Sequence, residues 1–192
     1  MSVSPRDILD FWFGPEDGPE FGRPRPIWFT RDADFDAEIA ARFADTQRAA
    51  AAGQLDSWAG EPESLVALTL LLDQFPRNLY RDDPRAYASD GHILALVKQA
   101  IAMGLDRGLP DVHRWFLYLP YEHSEALADQ EAALRLFADL PGAEAEGSPY
   151  DWAVKHHAVI ARFGRFPHRN AVLGRANTAQ EEAYLSQPGA GF

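Results

Sequence analysis

Cysteine is absent from this 192-residue chain, which removes disulfides, thiolate metal sites and a cysteine nucleophile from consideration. No apolar run reaches the length that a membrane-spanning helix needs. The opening Met1-Ser2-Val3-Ser4-Pro5-Arg6-Asp7 lacks the apolar stretch of a signal peptide, so the cytoplasm is the expected compartment. Alternating β-branched runs are missing too, and with them the usual mark of strands. The motifs Gly-x-Ser-x-Gly, Gly-x-x-x-x-Gly-Lys and Gly-x-Gly-x-x-Gly do not occur. Serine hydrolases of the common fold, nucleotide triphosphatases and dinucleotide dehydrogenases all lose support. With 29 acidic residues against 18 basic ones and a net charge of −11, the chain is a poor match for duplex nucleic acid or an anionic membrane.

One further absence is local. Between Trp152 and Gln180 there is no Asp or Glu, yet Lys155, Arg162, Arg165, Arg169 and Arg175 lie there with His156, His157 and His168. A basic segment in an acidic chain needs counter-charge, from a bound anion or from the protein's own carboxylates.

The residues that are present read as helix. Hydrophobic residues at 46% and five Trp can fill a core, which argues against disorder. Ser4-Pro5-x-Asp7 is a cap, first turn and capping acid ahead of Ile8, Leu9, Phe11 and Trp12, and Ser148-Pro149-x-Asp151 repeats it ahead of Trp152, Val159, Ile160 and Phe163. Residues 14–30, with their glycines and prolines, predict an irregular loop tacked down by Trp28 and Phe29. A helix is expected from about Asp34 to Gly53, and a nearly all-apolar one from Pro62 until Pro76 ends it. Further helices are expected around Ile93 to Ile101, from Pro110 to a break at Pro120, from a cap at Ser124 through Phe137, and near Glu181. The tail 187–192 should fray. The sum is one all-α domain over residues 1–192, about eight helices packed as antiparallel pairs.

Several constellations carry possible chemistry. Arg162 to Arg175 places four arginines on a helix end and the loop after it, where guanidinium forks can converge on phosphate or carboxylate or brace the loop against Asp73, Asp83 or Asp129. Asp73-Gln74 ends an apolar helix and Asp129-Gln130 lies in another. A core-facing Asp must be paired or protonated, and such an acid can serve as a base. His123 with Glu125 or Asp129 is a weak metal pattern, and no cofactor is expected. His156 shares an apolar face and reads as a core histidine, whereas His168 in the basic loop is the better acid. Phe75-Pro76-Arg77-Asn78 and Phe166-Pro167-His168-Arg169-Asn170 form a partial repeat, each expected just past a helix end with Asn free to turn left-handed.

Those same stretches, Leu70 to Asn78, Pro84-Arg85-Ala86-Tyr87-Ala88, Tyr118-Leu119-Pro120 with His123-Ser124-Glu125 and Asp129-Gln130, and Arg162 to Asn170 with Leu173-Gly174-Arg175, resemble the bacterial domain of unknown function 924 along nearly the whole chain. The resemblance implies a helical fold like the tetratricopeptide-repeat superfamily and carries no established activity. Glu122 and Ala126 depart from its pattern.

The functional expectation is a site for a small anionic ligand or a carboxylate-bearing peptide end. Arg77, Asn78, Arg165, His168, Arg169, Asn170 and Arg175 would bind it. One alternative is a hydrolase- or lyase-type enzyme using Asp73 or Asp129 as base with His123 or His168 as acid. Another is a scaffold that binds a partner protein through exposed aromatics.

Overall fold

A computed structural model describes residues 3–191; the outermost positions of the expected fraying tail and of the opening segment, Phe192 and Met1-Ser2, lie outside the described residues. Among the described residues there are nine α-helices and no strand, so the all-α expectation holds. The contacts gather in two compact units, one of residues 1–81 and 85–120, the other of 82–84 and 121–192.

The first unit is built from α1 (Pro5–Phe13), α2 (Ala33–Ala51), α3 (Pro62–Thr69), α4 (Phe75–Leu79), α5 (Asp90–Ala102) and most of α6 (Asp111–Glu122). Ser4 and Asp7 close a capping box at α1, and Asp32 accepts the amides of Asp34 and Phe35 to start α2. α3 is the hub, packed on α1, on α5 and on the 3₁₀ turn Asp56–Gly60. Its Leu65, Val66, Leu68 and Thr69 are fully buried, as the near absence of a polar face predicts. An aromatic cluster fills the rest. Trp12 stacks on Trp28 at 6.1 Å, and Phe116 meets both edge-on at 5.6 and 4.8 Å. Arg25 reaches back to the carbonyls of Phe11 and Trp12, and the Trp28 indole also donates to the latter, which pins residues 14–30 to the end of α1. Within that stretch Pro26–Phe29 forms a 3₁₀ turn.

Two prolines do not act as expected. Pro76 fails to end the apolar helix. Ahead of it Leu70–Gln74 widens into a π-helical turn, with the Phe75 amide bonded to the Leu70 carbonyl, and α4 then continues through Pro76 to Leu79. A proline ring collides with the carbonyl four residues back in a regular helix, and the wider turn relieves that collision. It also turns two successive polar residues, Asp73 and Gln74, into the interior. Pro120, likewise, sits inside α6 rather than at its end. The lost backbone bond and strain cost about 3 kcal/mol. Burying Phe116, Leu117 and Tyr118 in the same helix returns roughly 1.5–3 kcal/mol each.

The second unit holds α7 (Leu127–Ala138), α8 (Pro149–Phe163) and α9 (Ala179–Leu185), joined by long irregular connections. α7 packs along α8, with Ala133 and Phe137 fully buried. Ser148 caps α8 as the repeated signature predicts, and Gly164 stops it in the left-handed region at φ 68°, which a side chain resists. Past that stop, Phe166 seats on Val159 and Ile160, with Phe163 and Tyr184 at the margin. Thr178 and Glu181 form the capping box of α9.

No helix among the described residues is long and apolar enough to cross a membrane.

Candidate functional site

The turn between α6 and α7 organises the second unit. Gln130 is fully buried, and its amide donates to the carbonyls of Glu122 and Ser124 at 2.6 and 2.7 Å, so one side chain fixes the backbone of 122–124. Ser124 does not cap α7. The helix begins two residues later, after Ala126, which offers no side-chain cap. Ser124 Oγ instead accepts the Ala126 amide and donates to Asp129 Oδ2 at 2.8 Å. Asp129 therefore serves the helix start through Ser124, in the first turn where a negative charge is favoured.

Glu125, released from the helix, meets the basic segment. Its carboxylate accepts both Arg175 guanidinium arms, at 2.7 and 2.9 Å, and the Phe166 amide at 2.8 Å. Burial opposes its charge, but the Arg175 fork, the Phe166 N–H and the charges of Arg175 and Arg169 together hold its carboxyl below the ordinary value. Arg165 forks onto Glu181, and Lys155 pairs with Asp151. Hydrogen bonding from Arg165 first, then from the Thr178 amide, takes the Glu181 carboxyl far below its usual range. Arg162 is exposed over the Phe163 ring. Lys155, Arg165 and Arg175 thus have carboxylate partners from the protein itself, and the acid-free stretch borrows Asp151, Glu125 and Glu181 from outside its own bounds.

Arg169 lies deeper. It is 6% exposed, donates to the His123 carbonyl at 3.0 Å and stacks over the Phe166 ring at 4.4 Å. Around it lie three imidazoles. Between ring centroids, His156 is 6.3 Å from His123, and Phe166 is 5.6 Å from His156 and 5.5 Å from His168. His156 Nδ1 is 2.9 Å from the Trp152 carbonyl and 3.1 Å from Glu122 Oε1. Both are acceptors, so Nδ1 carries the proton and the neutral ring keeps its lone pair on Nε2. Burial, reinforced by His123 and then by Arg169 and His168, pushes the His156 pKa down to about 3 against the partial support of the Trp152 carbonyl. Glu122 is 3% exposed beside it, a buried acid that no spacing rule singled out. Its signal in the sequence is slight, since a Glu after a Pro-broken aromatic helix reads as loop. His123, Asp129, Arg165, His168, Arg169, Asn170 and Arg175 all fall in this unit. Asn170 is right-handed at φ −58° and fully buried, with its amide on Asn177 Oδ1 at 2.8 Å; the positive φ occurs at Asp82 instead. Among the described residues, no group of three or more His, Asp or Glu has the arrangement of a metal site.

The remaining candidates belong to the first unit. Asp73 lies in the π turn, fully buried, accepting from Gln74 Nε2 at 2.6 Å. Arg77 forks onto Asp90 at 2.9 and 3.0 Å and bonds the Asp73 carbonyl. Burial works against its charge, and the two aspartates more than restore it, so its pKa is raised. Asn78 donates to Asp36, which also takes an Arg81 fork. Phe75-Pro76-Arg77-Asn78 is helical rather than a turn past a helix end. A surface hollow of about 550 Å³ is lined by Pro19, Glu20, Arg23 and their neighbours through Ile27, and contains none of these candidates.

An all-helical fold with an ion-paired, imidazole-rich cluster after its last long helix is the class this structure defines. The chain belongs to a family of bacterial proteins of unknown function, DUF924, whose profile matches residues 8–189. It is similar in structure to the protein of unknown function ATU0120 from Agrobacterium tumefaciens, with a TM-score of 0.83 and 40% identity, over 95% of this chain and 96% of that one. No curated protein matches.

Proposed function

We propose that the second unit binds a small anion, a phosphate or the carboxylate of a small molecule or peptide end, at Arg169 flanked by His123 and His168. The supporting observation is the near-complete burial of Arg169 against the His123 carbonyl and the Phe166 ring, which in turn lies near the rings of His156 and His168. Arg165 and Arg175, committed to Glu181 and Glu125, act as the frame of the site rather than its contacts. Arg77 and Asn78, held by Asp90 and Asp36, are bracing residues of the first unit. A guanidinium in a place of low dielectric attracts an anion far more strongly than one in water.

Thermal unfolding in orthophosphate, acetate and a short peptide with a free carboxyl terminus tests the reading at constant ionic strength. At least one of these should raise the midpoint, and Arg169→Gln and His168→Ala should each abolish the rise. His168→Ala is the safer variant for folding, because that side chain is half-exposed. No rise with any of the three, or an equal rise in a folded His168→Ala variant, overturns it.

A further inference from the structure

The chain beyond α9 comes back to His168. α9 itself is fastened by the Arg165–Glu181 fork and by Tyr184 against Phe163 at 5.2 Å, and it packs on the 3₁₀ turn Pro167–Arg169. The segment after it, Gln187-Pro188-Gly189-Ala190-Gly191, carries no charge and almost no apolar mass. It turns on local bonds, Gln187 N–H to the Tyr184 carbonyl and Ala190 N–H to that of Gln187, with Gly189 at φ 77°. Residues 187–189 are exposed, while Ala190 and Gly191 are half-buried. A Cβ built on Gly191 would stand 2.9 Å from His168 Cβ and 3.4 Å from its Cγ. That approach is closer than any real side chain keeps, and Gly191 also has φ 103°, so glycine is required on two independent counts. At Gly164, by contrast, the space is open and φ alone asks for glycine.

We propose that residues 187–191 are a strap that covers His168 and governs access to the anion site; this rests on the reading of that site given above. A segment with few buried apolar contacts, exposed local hydrogen bonds and glycine hinges opens at small free-energy cost. Closed, it lies over the His168 ring. Open, it uncovers the imidazole and the approach to the Arg169 side of the cluster.

The rate at which diethyl pyrocarbonate modifies His168, read by peptide mass spectrometry, tests the strap without any assumption about the ligand. Three proteins are compared: the full chain, Gly191→Val and a chain ending at Ser186. Gly191→Val should be modified at His168 about tenfold faster, the shift expected when a β-branched residue is forced into a left-handed backbone, and the shortened chain at least as much faster. His157, half-exposed on α8 and away from the strap in sequence, should react at one rate in all three. Equal His168 rates in the three proteins overturn the strap, and so does a parallel rise at His157, which would mean general loosening. Orthophosphate should slow the reaction at His168 and act at lower concentration in the two variants. Faster modification of the variants with no protection from orthophosphate, acetate or the peptide with a free carboxyl terminus supports the strap and overturns the anion reading.

Discussion

The two units solve the same problem, an interior for a helical chain, with different materials. The first encloses rings: Trp12, Phe13, Trp28, Phe43, Phe75 and Phe116 form one connected cluster, and the polar groups admitted to the unit are braced locally by Arg77 and Arg81. The second has a small apolar patch around Phe166 and relies on a buried amide, Gln130, and on forks between Arg175 and Glu125 and between Arg165 and Glu181. Apolar burial is non-directional and scales with area, so the first unit depends on the volume of each residue. Hydrogen-bonded charge is directional, so the second depends on the identity of both partners of each pair. A frame of that kind can hold Arg169 and three histidines in a small space, which an apolar interior would not tolerate.

The sharpest way to break this contrast is to delete a ring. Trp12→Ala should cost about 3–5 kcal/mol in urea unfolding. A loss under about 1 kcal/mol would mean that the aromatic cluster is not what stabilises the first unit.

Acid separates the units through one histidine each. Burial first, and then Arg6, lowers the His113 pKa to about 4, with only partial support from Glu16; the ring packs 4.3 Å from Phe13. Above pH 6.5 the folded and unfolded forms are both neutral at this site and it costs nothing. As pH falls from 6.5 toward 4, the unfolded chain takes up a proton that the folded one refuses, and stability declines, by roughly 3 kcal/mol at the lower end. His156 adds a decline of the same sign, extending to about pH 3. His113→Phe should flatten the slope of unfolding free energy between pH 6.5 and 4, and an unchanged slope refutes the assignment.

The smallest effect belongs to the second unit's frame. Glu125→Gln keeps the shape and removes the charge opposite Arg175. It should cost about 1–2 kcal/mol, discounted because the pair is partly solvated. The loss should shrink in high salt, whereas that of Trp12→Ala should not. Equal salt dependence of the two variants would erase the difference between the units.

Most of the helical layout is legible in the residues alone. Capping signatures at Ser4 and Ser148 and the stop at Gly164 are local chemistry, decided within four residues of chain, and they appear where the sequence puts them. The apolar helix from Pro62 is legible by its lack of a polar face. Single residues read alone mislead: Pro76 and Pro120 as helix ends, Ser124 as a cap. At each, a neighbouring element offers a better arrangement, a π turn, buried rings in the same helix, or Asp129 as partner. The candidate site is half legible. The acid-free basic stretch marks Arg165, Arg169 and Arg175 together, but nothing local says which group each one meets.

Composition, capping and hydrophobic spacing were enough to establish an all-helical chain without thiols and with one basic stretch free of acids, because helix starts, stops and buried faces are set by residues a turn apart. Which acid meets which arginine is a matter of groups up to 50 positions distant along the chain, as Glu125 and Arg175 are. Only the folded packing brings those together, and so it alone decided that Arg175 meets Glu125, that Arg165 meets Glu181 and that Arg169 is buried against the His123 carbonyl and the Phe166 ring.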